Sequence, residues 1–453
     1  MSLRVALIGA LSVFFLAGCG NSRENPADGR YRFLHAAPTL GTSGFLLEER
    51  LIATLNYTDG NGSTLLDSGP FDFNVETPSL VSATNERTVR LAATIVAGHD
   101  HTFVLFDDTG SPALVEYARP FVEVSGTNAG LEILHAFSGG PRVDLYIEVD
   151  GADLAAATPR GTLTFKQILD PFTVPSGSYR LSATEPGNPA NVFYQSTVFA
   201  LADGSQALIG VFGDAGIGTG LIRAAIANST ASASVSLPDA LSPSELRTIH
   251  AATTAGPLDV VSEGDFMNPL HASIAFGEIS SYAPVPNGES ALQVTPAGDP
   301  GVLEIDDTLN AATGTRLTQI INGEPGALTA VILNDNNRGR ASRALYRVRH
   351  GGQLLPTVDL YLAPPGTGPD ITDLQPVAIG LFSGGGEFLS TVLPGEVELL
   401  VVENDQDATT ADTNIIAGPV PVAMADGRVY DIVLLDSATA GTLDVVVSDE
   451  TGQ

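Results

Sequence analysis

Four short apolar segments of this chain end in histidine, at His35, His135, His250 and His350, with intervals of 100, 115 and 100 residues. They read Tyr31-Arg32-Phe33-Leu34-His35, Leu131-Glu132-Ile133-Leu134-His135, Leu246-Arg247-Thr248-Ile249-His250 and Tyr346-Arg347-Val348-Arg349-His350. Only seven histidines occur in 453 residues, so four in one recurring position mark an internal repeat. A unit of about 100 residues is long enough to bury one core of its own.

Other landmarks recur in order. Nine residues after the last three histidines come Asp144, Asp259 and Asp359, each in a strand-like run such as Val143-Asp144-Leu145-Tyr146; the first repeat has Gly44 at that offset. Pro-Gly turns follow at Val174-Pro175-Ser176-Gly177, Val285-Pro286-Asn287-Gly288 and Leu393-Pro394-Gly395, and a second glycine turn at Gly98, Gly204, Gly314 and Gly427. Short strands between Gly, Pro, Asn and Asp turns, with no sustained 3.6-residue period, predict an all-β chain. The expected architecture is a tandem array of four immunoglobulin-like β-sandwich domains. They occupy residues 30–125, 129–228, 244–336 and 343–453, the first as a divergent copy. The 100–115–100 spacing and the Val-Asp-Leu-Tyr wording shared by the second and fourth units suggest duplication of a two-domain block. The segment from Ala227 to Ser244, rich in Ala and Ser, is expected to be a flexible joint that proteases cut first. Four such units in a row span roughly 140 Å.

The ordered landmarks resemble the bacterial family catalogued as domain of unknown function 4397. Its pattern is an apolar strand ending in His-Ala, a Val-Asp strand and a Val-Pro-Ala-Gly turn. Here the matching residues are His35-Ala36-Ala37-Pro38, His135-Ala136 and His250-Ala251-Ala252, with the Val-Asp strands and Pro-Gly turns above; the fourth unit has His350-Gly351 instead. The resemblance implies an immunoglobulin-like sandwich in envelope or secreted proteins and implies no chemistry.

The first 18 residues read as a signal peptide. Arg4 precedes an apolar run from Val5 to Leu16, shorter than the roughly 20 residues of a membrane-spanning helix. The run ends in Leu16-Ala17-Gly18-Cys19, which resembles the bacterial lipobox, and Cys19 is the single cysteine. An acylated Cys19 followed by a linker at residues 19–29 would anchor the chain in a cell envelope. Gly20 and Asn21 lack the aspartate that retains lipoproteins at the inner membrane, which points to the outer membrane in a Gram-negative host. With no second cysteine the cores hold the fold without disulfides. Acidic residues outnumber basic ones 52 to 21, and a net charge of −31 argues against nucleic-acid partners.

Each repeated histidine shares its two-residue phase with apolar neighbours and should face the core. The expected role of His135 with Asp144, His250 with Asp259 and His350 with Asp359 is a structural hydrogen bond within each sandwich. The readings as metal ligands or general bases lack a third recurring group. His99-Asp100-His101 supplies two imidazoles, which do not complete a zinc site, and is expected to form a turn. The loops Asp59-Gly60-Asn61-Gly62-Ser63 and Glu403-Asn404-Asp405-Gln406-Asp407 offer oxygens to calcium, without the spacing of a helix–loop–helix site. Gly213 to Gly220 has the wrong spacing for a dinucleotide loop, and no catalytic signature occurs. The function expected is a non-enzymatic envelope scaffold or adhesion-type array with a membrane lipid anchor and an envelope protein or polysaccharide partner. The alternatives are a glycan-binding protein, disfavoured by the absence of Trp, and a metal-dependent enzyme.

Overall fold

The structure, a computed structural model, describes residues 28–78, 86–108, 111–367, 371, 374–404, 415–439 and 441–451. Cys19, the segment before it and Asp405 to Asp407 lie outside the described residues. Among these residues the elements are strands, apart from one 3-10 turn at Leu154–Ala156. They assemble into eight sheets, two per unit, and each pair encloses one apolar core. The chain is a tandem array of β-sandwiches.

All four units share one connectivity, shown plainly by the third. Its histidine strand Ser244–His250 lies between Ala283–Val285 and Arg316–Asn322, with Thr329–Asp335 beyond. The opposing sheet orders His271–Ile274, Leu258–Ser262, Gly288–Pro296 and Ile305–Ala311. The histidine strand runs parallel to Arg316–Asn322, in register from Glu245↔Arg316 to His250↔Ile321. The same parallel pairing joins Asp28–His35 to His99–Phe106, Asn128–His135 to Gln206–Gly213 and Ala344–His350 to Val429–Asp436. This is a sandwich in which the first strand leaves its sequence neighbour for the opposite sheet. Constant-type immunoglobulin domains instead keep the first two strands in one sheet.

The turns follow the sequence reading. Gly98, Gly204, Gly314 and Gly427 all have φ between 67° and 71°, a left-handed conformation that favours glycine at this one hairpin. The first unit, which lacks the Val-Pro-Gly wording, turns instead at Gly69, the first residue of strand Gly69–Pro78.

The units are not separate beads. In the histidine strands both faces are buried: Tyr31, Phe33 and His35 point into the first core, while Leu34 packs against the second unit. Leu34, Ala36, Tyr57, Val104 and Phe106 from the first unit meet Leu134, Ala136, Leu208 and Phe212 from the second. Ile249, Ala251 and Ile320 of the third unit meet Val433 and Leu435 of the fourth in the same way. Sandwiches one and two, and three and four, are therefore stacked face to face, so the four do not lie as a string of end-to-end units.

The segment expected to be a flexible joint is bonded to the first and second units. Val235–Leu237 adds a strand to the second unit by pairing with Ile222–Asn228. Upstream of it, the carbonyls of Ala231 and Ser229 accept hydrogen bonds from Gly62 N–H and Ser63 N–H of the first unit, at 2.9 and 2.8 Å. Ala and Ser bury little, but small side chains let the backbone approach closely enough to make these bonds.

Candidate functional site at the sandwich seams

The repeated histidines hold loops and do not pair with the aspartates. Each Nε2–H donates to a carbonyl five or six residues onward: His35 to Gly41 at 3.1 Å, His135 to Pro141 at 2.9 Å, His250 to Gly256 at 3.0 Å and His350 to Leu355 at 2.9 Å. In the first three, Nδ1 accepts from a backbone N–H two residues on, at Ala37, Phe137 and Ala252. Both nitrogens are thus committed to the neutral tautomer. Burial lowers the pKa of all four, that of His35 to about 3.

The aspartates stand in the opposing sheet and cap backbone there. Asp144 accepts from Thr162 Oγ1 and from Gly187 N–H at 2.7 Å. Asp259 accepts from Ser273 N–H at 2.7 Å and Gly298 N–H at 2.9 Å, and Asp359 from Gly380 N–H at 2.7 Å and Asn404 Nδ2 at 2.6 Å. The expected His–Asp bonds are corrected on this point. The nine-residue interval carries the chain across to the other sheet, where different loops need acceptors.

The remaining candidates are also engaged. His99 and His101 lie in a strand, not in the expected turn; their rings are 6.3 Å apart. His101 is fully buried, accepts from Val96 N–H through Nε2 and meets Glu116 through Nδ1 at 2.6 Å. In the Asp59 to Ser63 loop, Asn61 Oδ1 accepts from Phe33 N–H and Asp59 Oδ2 from Asn56 N–H. Among the described residues, no three His, Cys, Asp or Glu side chains gather as a metal site, and no helix is long and apolar enough to cross a membrane.

The dense polar chemistry lies where sequence reading did not look, on the outer face of the histidine strands. Three residues before each histidine stand Arg32, Glu132, Arg247 and Arg347, all buried. At the third–fourth seam, Arg247, Arg347 and Arg349 interleave with Asp335, Asp431 and Glu450, every side chain at most 1% exposed. Arg347 Nε donates to Asp431 at 2.6 Å, and Arg247 and Arg349 reach Asp431 and Asp335 respectively. Burial alone would raise the aspartate pKa values. Arg349, Arg347 and Arg247 outweigh it, holding Asp335 at about 2 and Asp431 below its ordinary value. Little in the sequence signals this, because a run such as Tyr346-Arg347-Val348-Arg349 alternates as a strand with one solvent face does.

The segment between the third and fourth units ties the two pairs together. Arg338 Nη1 donates to the carbonyls of Pro38 and Leu40 in the first unit, the latter at 2.8 Å, and its guanidinium lies 5.4 Å from the Tyr57 ring centre. Burial, then Arg340, lowers the Arg338 pKa to about 10. Asn337 N–H donates to Gly216 of the second unit at 2.9 Å.

The first–second seam is sparser. Arg32 pairs with Glu132, whose pKa burial raises against the pull of Arg32. Lys166, the single lysine of the chain, reaches Asp108 across the seam at 2.8 Å. The seam also opens into a groove with Arg30, Leu65, Phe121, Glu123, Val124 and Gln206 among its walls. Arg30 lies 3.7 Å over the Phe121 ring and donates to Gln206 Oε1 at 3.0 Å.

Among curated proteins none matches the chain. Of solved structures, the Bacillus anthracis TIE protein is 11% identical, over 87% of this chain and 68% of that one, with a TM-score of 0.16. A candidate cell adhesion protein from Bacteroides ovatus is 12% identical over 46% of this chain and 95% of that one, with a TM-score of 0.15. Such TM-scores do not describe a shared overall arrangement. The family model described as Domain of unknown function (DUF4397) matches residues 244–361, from the first residue of the third histidine strand into the aspartate strand of the fourth unit. Residues 244–361, centred on the third β-sandwich, thus form a DUF4397-like domain.

Proposed function

We propose that the protein is a non-enzymatic cell-envelope scaffold or adhesion-type binding body, tethered by an acylated Cys19. The observation that carries this reading is the locking of the sandwiches. Two charged and apolar seams stack the units in pairs, and Arg338 reaches from one pair into the other. Such a body holds its loops in fixed relative positions, as a presenting scaffold requires. The buried histidines and aspartates supply the rigidity of those loops. In a Gram-negative host the residues after Cys19 fit the outer membrane. The test is fractionation of wild type and Cys19→Ser in the native host. The wild type should partition with membranes and the variant should be released. A variant that stays membrane-bound and migrates as acylated protein overturns the anchor.

A further inference from the structure

Each sandwich closes with a strand that pairs antiparallel with the neighbour of its histidine strand, and one place in that closing strand corresponds in all four units. It lies opposite the residue that pairs with the histidine: Leu114, Ala224, Ala330 and Val445 stand opposite Leu105, Val211, Ile321 and Leu434. In the first and fourth units a branched side chain packs against the core there. In the second and third the residue is alanine. The second unit adds a side chain from outside its closing strand: Val235–Leu237 pairs antiparallel with Ile222–Asn228 and sets Leu237 beside Ala224 in the core. The Leu237 carbonyl accepts from Tyr194 Oη at 2.6 Å, which fixes the added strand. Among the described residues, no strand pairs with the outer edge of Thr329–Asp335 in the third unit. Ala330 and, on the facing strand of the same rim, Ile305 are left half-buried. Ile332 is 38% exposed, where its counterpart Ile226, beside Val235, is 4% exposed.

We propose that the outer edge of Thr329–Asp335 takes up an extended, basic segment of a partner protein as a fifth strand. Main-chain hydrogen bonds to a free sheet edge supply affinity in this mode, and alternate side chains supply specificity. The form of the guest follows from Val235–Leu237 on the second unit. It runs antiparallel, with one apolar residue beside Ile332, a polar residue next, and a residue of leucine size beside Ala330. An apolar edge without an occupant is a liability for aggregation, and the third unit bears no charge on its inward phase at Ala330 and Ile332 to blunt it. Charge selects the source of the guest. The facing rim strand Ile305–Ala311 exposes Asp306 and Asp307, which suits Lys or Arg at the flanks of the guest. A net charge of −31 on each molecule opposes a second copy of this chain as the donor. The inference deepens the binding-body reading, on which the existence of a partner rests.

The test is calorimetric titration of the full chain with the capped peptide Arg-Arg-Val-Ser-Leu-Thr-Arg, and with the same peptide carrying Glu for each Arg. The basic peptide should bind, the acidic one should not, and binding should protect amides of residues 329–335 from hydrogen exchange. Ala330→Leu supplies within the closing strand what Leu114 supplies in the first unit. It should weaken binding at least about tenfold, the worth of one buried leucine-sized side chain. Asp307→Lys, at an exposed position, should weaken it about threefold and leave the melting temperature unchanged, so the test stands even where Ala330→Leu disturbs the fold. Val447→Ser, at the corresponding place of the fourth unit, should leave binding unchanged. No binding, equal binding of both peptides, binding indifferent to Ala330→Leu and Asp307→Lys, or protection elsewhere would each overturn the proposal. Concentration-dependent dimers abolished by Ala330→Leu would give the edge to a second copy and equally overturn it. The Cys19→Ser fractionation tests the anchor and no part of this edge, so either can fail alone.

Discussion

Arg32 and Arg247, in different sandwich pairs, make the same hydrogen bond: Nε donates to Thr102 Oγ1 at 2.9 Å in one and to Thr318 Oγ1 at 2.8 Å in the other. Each then turns Nη2 across a seam to a carboxylate of the following unit, Glu132 or Asp431. The acids come from different strands, Asn128–His135 and Val429–Asp436, so the pairs share a plan and not every residue. This agreement is what duplication of a two-sandwich block would leave behind.

The third–fourth seam should be intolerant of single changes. Asp431→Asn leaves three buried guanidinium groups with fewer carboxylates and should cost about 3–5 kcal/mol. Denaturant unfolding of the variant measures it. A loss below about 1 kcal/mol would show that the seam is wetter than its burial indicates.

His135→Ala should destabilise the second unit by about 1–3 kcal/mol, through the stranded Pro141 carbonyl. Asp144→Ala should act independently, since the two side chains share no partner. A double-mutant cycle with strong coupling would restore the His–Asp pair that the geometry denies.

The four loop-holding histidines set the mild-acid behaviour. Their folded pKa values lie below the unfolded value of 6.5, so below that pH the unfolded state binds more protons. Their contribution is complete above pH 6.5 and falls away as pH drops toward the folded values, about 3 for His35. Asp335 acts lower: its stabilisation is complete above the ordinary carboxylate value of 3.8 and is lost as pH falls through about 2. Melting temperature followed from pH 8 to pH 2 should decline in these two windows. Nitrogen-15 shifts of the imidazoles should report the neutral Nε2–H tautomer at pH 6; protonated rings at that pH would contradict the assignment.

Broad-specificity proteolysis should spare residues 229–237, whose backbone is bonded to the first unit and to the second sheet. Rapid cleavage there with release of two stable halves would mean that the pairs are only loosely joined. Arg338→Ala, which removes the bonds to Pro38 and Leu40, should raise the rate of cutting near residue 338.

The sequence by itself determined the all-β class, the repeat, the inward phase of the histidines and the glycine hairpins. These are local properties: alternation, turn chemistry and wording recur wherever the backbone does the same thing. It could not tell what the histidines and aspartates would bond to. Asp144 sits nine residues from His135, but the chain changes sheets between them, and hydrogen bonds follow space. Nor could it distinguish linked beads from stacked pairs. Arg32, Glu132, Arg247 and Arg347 look like solvent-side residues on half-buried strands. Only tertiary packing placed a second sheet against them, and their burial is favourable only because opposite charges arrive from another unit.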